Sequence, residues 1–373
     1  MASLEELLDL LDSTPVIADM HPVSRCYLPT EVTVYETSAE LAWSLDMPDT
    51  TLPLRSLILQ GDPLYATRFP RIQVDHDPFT PQLNAVLYER FDQISTLMLS
   101  QSHLSERIAS RAEKPDVVTL LLIDGLSYGD VNHWLDKNPD MDMRLEPCLV
   151  DGPTLTEIAF PRIIGDIPPA VHLFDSGYRH RMGFTYWSRK QNPLTDELFR
   201  TIADVDAVGD FSTILATVRR QIRDSPGRKT YLQILRTGLD GYAHHQKRTP
   251  PVAVIVDTIM HEMLSLANLF REAGRSARIN LTADHGILWR DDFEPEIVGR
   301  ASAGASPRSC EWRDLYRQDE SGRRFAVAGR EIYCLAYPKT RRGLRIDEQG
   351  VHGGISFQES IVPFLTMKIG DTC

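Results

Sequence analysis

The chain has little cysteine. Five residues, at 26, 148, 310, 334 and 373, are scattered through 373 positions with no C-x-x-C spacing. That excludes a disulfide scaffold and a zinc finger. There is no surplus of positive charge. Lys and Arg number 40 against 52 Asp and Glu, a net of −12, which argues against sequence-independent binding to a phosphate backbone. No run of 18 apolar residues occurs. The opening MASLEELLDLLDS has neither a basic region nor a long apolar core. A leader and a membrane span are therefore not expected, and the expected setting is the cytoplasm, without a membrane partner. Internal repeats and low-complexity tracts are also lacking. With 42% apolar and 25% charged residues, the composition is that of a globular protein, which excludes disorder.

The acidic surplus is uneven. Residues 1–115 carry 17 acids and 8 bases, a net of −9; residues 116–373 carry 35 and 32, a net of −3. Leu4–Leu11 reads as a short helix, with Ser3 as N-cap and Glu6 three residues on. Residues 14–80 are Pro-rich, with strand-like pieces at Glu31–Tyr35 and Leu54–Leu59. Residues 82–112 carry one long helical pattern, ended by Lys114-Pro115. At Asp116 the character changes. The continuous apolar run from Asp116 to Asp124 predicts a buried parallel strand. Further strands are predicted at Lys229–Leu235, Arg278–Ala283, Arg324–Ala328, Glu331–Tyr337 and Ile361–Met367. Helical patterns lie at Asp210–Arg223 and Pro251–Glu272. This alternation predicts an α/β fold, a mostly parallel sheet sandwiched by helices. The expected division is an N-terminal accessory region, 1–115, and a catalytic domain, 116–373.

Ligands of such sheets sit at the carboxyl ends of the strands, and four Asp/His clusters lie at strand ends or beside strands. They are Asp124-Gly125, Asp240-Gly-Tyr-Ala-His244-His245, Asp284-His285-Gly286 and His352-Gly353-Gly354. Two divalent cations need about six carboxylate and imidazole ligands. Asp124, Asp240, His244, Asp284, His285 and His352 make six. Asp240 and His244 are one helical turn apart and converge if the loop begins a turn. His245 would then point about 100° away. Thr156, in Asp151-Gly-Pro-Thr154-Leu-Thr156, supplies an oxygen nucleophile if a cation lowers its pKa. Each element alone has a plainer reading: a turn, an N-cap, an exposed helical pair. Their ordered combination does not.

That order resembles the alkaline phosphatase superfamily and, within it, the PglZ domain of bacterial phage-defence (BREX-type) systems. The resemblance covers about Asp116–Met367. Its finer carriers are Pro153-Thr154-Leu-Thr156 with Gly165 and Pro168 beyond, and the closing His352-Gly-Gly-Ile-Ser356-Phe-Gln-Glu359 with Pro363. It implies Asp124, Thr156, Asp284 and His285 around one cation, and Asp240, His244 and His352 around the other. It implies two divalent cations, zinc first and manganese next, and Thr156 as the catalytic nucleophile. The related nucleotide pyrophosphatase/phosphodiesterases carry an Asn shortly after the nucleophile. Here the stretch reads Glu-Ile-Ala-Phe-Pro161-Arg162. Arg162 either replaces that Asn as a substrate-binding phosphate contact or is a surface arginine, and Pro161 is expected to interrupt the helix.

The residues around Thr156 lack the C/S-x-P-x-R pattern of sulfatases. The 83 residues between Thr156 and Asp240 are too few for the inserted domain of cofactor-independent phosphoglycerate mutases. Phosphate-ester hydrolysis remains, leaning to nucleotide or oligonucleotide diesters. Tyr178–Lys190 mixes Arg and Lys with aromatics, either a stacking platform for bases or a strand with a solvated face. Arg341-Arg342-Gly-Leu-Arg345 is a second basic stretch. The alternative is a non-catalytic component of a multi-protein defence complex, docked through the acidic residues 1–115 and Trp43.

Overall fold

The computed structural model describes residues 4–370 except 21–27, 36–51, 60–68, 75–78, 110–113, 187–197, 199–204, 208–209, 245–247, 249, 300, 303–304, 313–321 and 328. Ser3, Trp43, Trp187, Arg189, Lys190 and His245, all used in the sequence reading, lie outside the described residues. The chain divides into two compact units, 1–83 and 84–373. The change of character at Asp116 marks the first long strand; residues 84–115 group with the large unit rather than with the region that precedes it.

The small unit has four short parallel strands in the order Thr33–Tyr35, Ser56–Ile58, Val16–Asp19, Arg71–Gln73. Helix Leu4–Leu11 buries Leu7 and Leu11 in the core formed with Val16, Ala18 and Leu57.

The large unit is built on an eight-stranded sheet. Its order is Leu99–Ser100, Met143–Leu149, Ile361–Ile369, Ala277–Ala283, Val117–Asp124, Thr230–Thr237, His180–Thr185, Val205–Ala207. Only Ile361–Ile369 runs antiparallel to its neighbours. The central strands read Val-Val-Thr-Leu-Leu-Leu-Ile and Ala-Arg-Ile-Asn-Leu-Thr-Ala because both faces are covered, which removes any polar-out alternation. Helices Tyr128–Lys137, Phe211–Asp224 and Val252–Glu272 pack together in one layer, and Leu104–Ala109, Thr156–Ile164 and Pro169–Phe174 in another. The expected sandwich is present. Val252–Glu272 is long and apolar enough to cross a membrane by length and composition. Here it buries Ile255, Ile259, Met263, Leu266 and Phe270 in the core.

Three expectations need correction, and one open pair of readings is decided. The single pattern over 82–112 is three helices, Phe79–Glu89, Phe91–Leu97 and Leu104–Ala109. They are separated where Leu99–Ser100 pairs with Cys148–Leu149, so a tertiary ladder overrides the helical period. Gly322–Val327 and Arg330–Leu335 do not join the main sheet; with Ser309–Glu311 they form a separate antiparallel one. Pro161 does not end its helix, which runs on to Ile164. Proline removes one amide donor, and the buried face of Ile158, Ala159, Phe160, Ile163 and Ile164 holds the last turn. The basic and aromatic segment at 178–186 is a sheet strand, with Tyr178 and Phe184 fully buried and so closed to base stacking.

Candidate two-metal site

Three adjacent parallel strands end at one level. Thr237 is in register with Asp124, and Ala283 with Ile123, so Asp124 and Asp284 stand side by side. Gly238-Leu239 carries the chain from Thr237 to Asp240, which opens the short helix Asp240–Ala243. The crossing is close. A Cβ at Gly238 would lie 2.3 Å from the Asp124 carbonyl oxygen and 2.6 Å from that of Gly125. Gly125 itself has φ +78°, the left-handed region that favours glycine.

The six Asp/His residues fall into two groups, each with ligand atoms within 4.8 Å of one another: Asp124, Asp284 and His285; Asp240, His244 and His352. The first is deep, with Asp284 and His285 fully buried. The second is nearer solvent, its side chains 16–27% exposed. The two groups abut, for the His285 and His352 rings stack at 4.0 Å with a 7° interplanar angle. In the outer group Oδ1 of Asp240 faces Nε2 of His352 at 3.2 Å and Nε2 of His244 at 3.4 Å.

Both key imidazoles are oriented from behind. Nδ1 of His285 donates to the Gly286 carbonyl at 3.0 Å, and Nδ1 of His352 to the Thr154 carbonyl at 2.8 Å. Each Nε2 is thereby aimed into the site. Oδ1 of Asp284 accepts from the amides of Gly125 and His285, both at 2.9 Å. Its other oxygen and Oδ1 of Asp124 are buried and accept no hydrogen bond. Two carboxylate oxygens left bare among imidazole nitrogens fit divalent cations well, and a dry interior otherwise penalises them.

The protonation pattern agrees. Burial, then the neighbouring Asp284 and Asp240, push the Asp124 carboxyl well up. Burial lifts Asp284 to about 7 and depresses His285 to about 3. Burial also works against His352, yet the Asp240 carboxylate raises it to about 10. Burial alone would raise Asp240, but the His352 and His244 imidazoles hold it well below the ordinary carboxylate range. Protons hold the charges in check where cations would otherwise do so.

Thr156 begins helix Thr156–Ile164 beside the deep group, its Oγ1 3.1 Å from Nε2 of His285. Arg162, six residues on, is engaged with Asp151. Its guanidinium donates to the Asp151 carbonyl at 2.6 Å and lies 3.8 Å from the Asp151 carboxylate. It braces the loop that delivers Thr156. Arg342 is likewise committed, paired in two contacts of 2.7 Å with Glu348.

Several supporting residues are assigned no role by the sequence, although Thr154 and Glu359 lie within its motifs. Buried Thr154 accepts from the Gly353 amide at 2.8 Å and donates to the Gly354 carbonyl at 3.0 Å. Gln101 donates to the carbonyls of Ala283 and Asp284. Arg308 and Glu359, fully buried, pair at 2.6 Å. Gln101 and Arg308 have no local cue, whereas Gly238, a glycine between a strand end and an acid, has one.

No protein-family profile matches the chain, and no curated protein does. Solved structures do resemble it. Phosphonoacetate hydrolase from Sinorhizobium meliloti 1021, solved with phosphonoformate, is 15% identical over 68% of this chain and 90% of that chain, with a TM-score of 0.44. Murine ectonucleotide pyrophosphatase/phosphodiesterase 5 is 11% identical over 67% and 87%, TM-score 0.39. The C-terminal periplasmic domain of EptC from Escherichia coli, in complex with zinc, is 12% identical over 69% and 74%, TM-score 0.38.

Proposed function

We propose that this protein is a metal-dependent phosphoryl-transfer hydrolase of the alkaline phosphatase superfamily, with Thr156 as nucleophile. The observation that carries the reading is the pair of three-ligand groups abutting at the His285–His352 stack with the Thr156 hydroxyl beside the deep one. Asp124, Asp284 and His285 would hold one divalent cation and Asp240, His244 and His352 the other. Zinc suits a mixed set of three imidazoles and three carboxylates, and manganese is the second choice. Bound there, the cations would lower the pKa of the Thr156 hydroxyl and offset charge on the phosphoryl oxygens.

The chain's own residues supply the rest. Thr156 stands at the start of a helix, whose first amides and dipole favour phosphate oxygens. Its Oγ1 gives up its proton to solvent and attacks phosphorus, a phosphothreonine ester forms, and the bond to the leaving oxygen breaks, that oxygen taking a proton from water. Water then attacks the phosphothreonine and restores the hydroxyl. The imidazole of His285, kept neutral by burial, presents its Nε2 lone pair to the deep cation position, and the Thr156 hydroxyl lies 3.1 Å from that nitrogen. Burial of the deep group excludes bulk water from the nucleophile's side.

The substrate side is read as a phosphodiester, with nucleotides or oligonucleotides first, in a bacterial anti-phage system of PglZ type whose other proteins would be partners. The sequence motifs Pro153–Thr156 and His352–Pro363 support that assignment. The deciding experiment compares hydrolysis of bis-nitrophenyl phosphate and nitrophenyl phosphate with zinc or manganese, alongside metal analysis. A purified chain that binds fewer than two ions and turns over neither substrate refutes the hydrolase reading.

A further inference from the structure

We infer that Glu359, held by Arg308, is the positioning residue that sets the distance between the two halves of the site; this rests on the two-metal reading above. Glu359 touches no ligand side chain, yet it grips both loops that carry the stacked imidazoles. Its backbone carbonyl accepts from the Gly286 amide at 2.9 Å, the residue after His285. Its carboxylate Oε1 accepts from the Gly354 amide at 2.9 Å, two residues after His352. One residue thus ties the deep group to the outer group.

The grip is stiff. Glu359 lies in the short helix Phe357–Ser360, and its own amide donates to the capping Ser356 hydroxyl at 3.1 Å. Arg308 meets the carboxylate in two contacts, Nη2 to Oε2 at 2.6 Å and Nε to Oε1 at 3.2 Å, and both residues are fully buried. The guanidinium also donates to the carbonyls of Ala336 and Lys339. No room remains for slack. A Cβ at Gly354 would lie 2.5 Å from Nε of Arg308, and one at Gly286 would lie 1.9 Å from the Gln358 carbonyl oxygen. A fully buried ion pair contributes little net stability, because desolvation offsets its attraction. Its use here is geometric: the carboxylate holds the His352 loop at a fixed height over His285.

The consequence is selective. Of the two loops, the Glu359 side chain hydrogen-bonds only that of His352, whereas the grip on Gly286 runs through the backbone and survives substitution. Glu359→Gln should therefore weaken the outer cation site about tenfold to a hundredfold, the usual effect of losing an outer support, and leave the deep site near wild type. Arg308→Lys should do the same more mildly and serves if Glu359→Gln fails to fold. Calorimetric titration with manganese reads the two sites separately. Equal weakening of both sites, or two sites as tight as in the wild type, overturns the inference. Wild-type protein that binds fewer than two ions instead overturns the two-metal reading. In that case the metal-free crystal structure of Glu359→Gln still decides, since a retained 4.0 Å His285–His352 stack overturns the positioning role and a displaced His352 ring supports it.

Discussion

The Thr156 hydroxyl lies 3.1 Å from Nε2 of His285, although 129 residues separate them in the chain. Helix Thr156–Ile164 brings the hydroxyl in, and the strand Ala277–Ala283 brings the imidazole. If the hydroxyl is the nucleophile, Thr156→Ala should leave both ions bound and lower turnover by about a thousandfold or more. Thr156→Ser keeps an oxygen and should retain part of the rate. Near wild-type turnover in the alanine variant would reduce Thr156 to a helix-start residue.

Charge balance in the metal-free site gives a pH dependence. Asp284 has its folded value raised to about 7, and His352 to about 10. Each therefore contributes stability that is complete below its unfolded value and is lost as pH rises through the folded one. His285, lowered to about 3, is neutral in both states above pH 7 and adds no slope there. The melting temperature of metal-free protein should accordingly fall up to about pH 7 through Asp284 and from there to about pH 10 through His352. Cations take the place of those protons, so binding tightens as pH rises. The melting shift produced by manganese should widen from pH 6 to pH 9. Melts with and without the ion across that range check the sign; a shift independent of pH contradicts the assigned ligands.

Much of this arrangement was legible beforehand, for a physical reason. Buried parallel strands need unbroken apolar runs, so an Asp closing such a run, as at Asp124 and after Ala283, stands out. The Asp240/His244 spacing is local and equally visible. What the sequence hid is non-local. Nothing near Ser100 shows that it will pair with Leu149 and break a helical pattern. Arg308 looks like any surface arginine until its partner, 51 residues on, is buried beside it. Arg162 leaves two readings open in the sequence, a phosphate contact or a surface arginine, and neither shows that Asp151, eleven residues earlier, holds it.

The outer group offers a test of ligand identity. His244 follows the short helix Asp240–Ala243, with Nε2 3.4 Å from Asp240. His244→Ala leaves only Asp240 and His352 around that position, so about one ion should be lost and activity should fall by at least about a hundredfold. His245→Ala, at the next position in sequence, is the control and should keep two ions. Loss of an ion only in the His245 variant would reverse the assignment at this motif.

The last prediction concerns a residue that bears no chemistry. Gly238 passes so close beneath Asp124-Gly125 that an added Cβ would sit 2.3 Å and 2.6 Å from two backbone oxygens and 2.6 Å from the Ile123 side chain. Backbone cannot rotate aside as a side chain can. Gly238→Ala must therefore push the Leu239-Asp240 turn away from the end of the Val117–Asp124 strand. The cost of such overpacking is about 1–3 kcal/mol. The displacement also moves Asp240 relative to Asp124, which separates the outer group from the deep one. The variant should melt several degrees lower and lose affinity at the outer site first, whereas Gly129→Ala, with open space around its Cβ, should change neither. Chemical denaturation together with metal titration of the two variants measures both effects, and wild-type values for Gly238→Ala would show that the strand ends are not packed as tightly as these distances require.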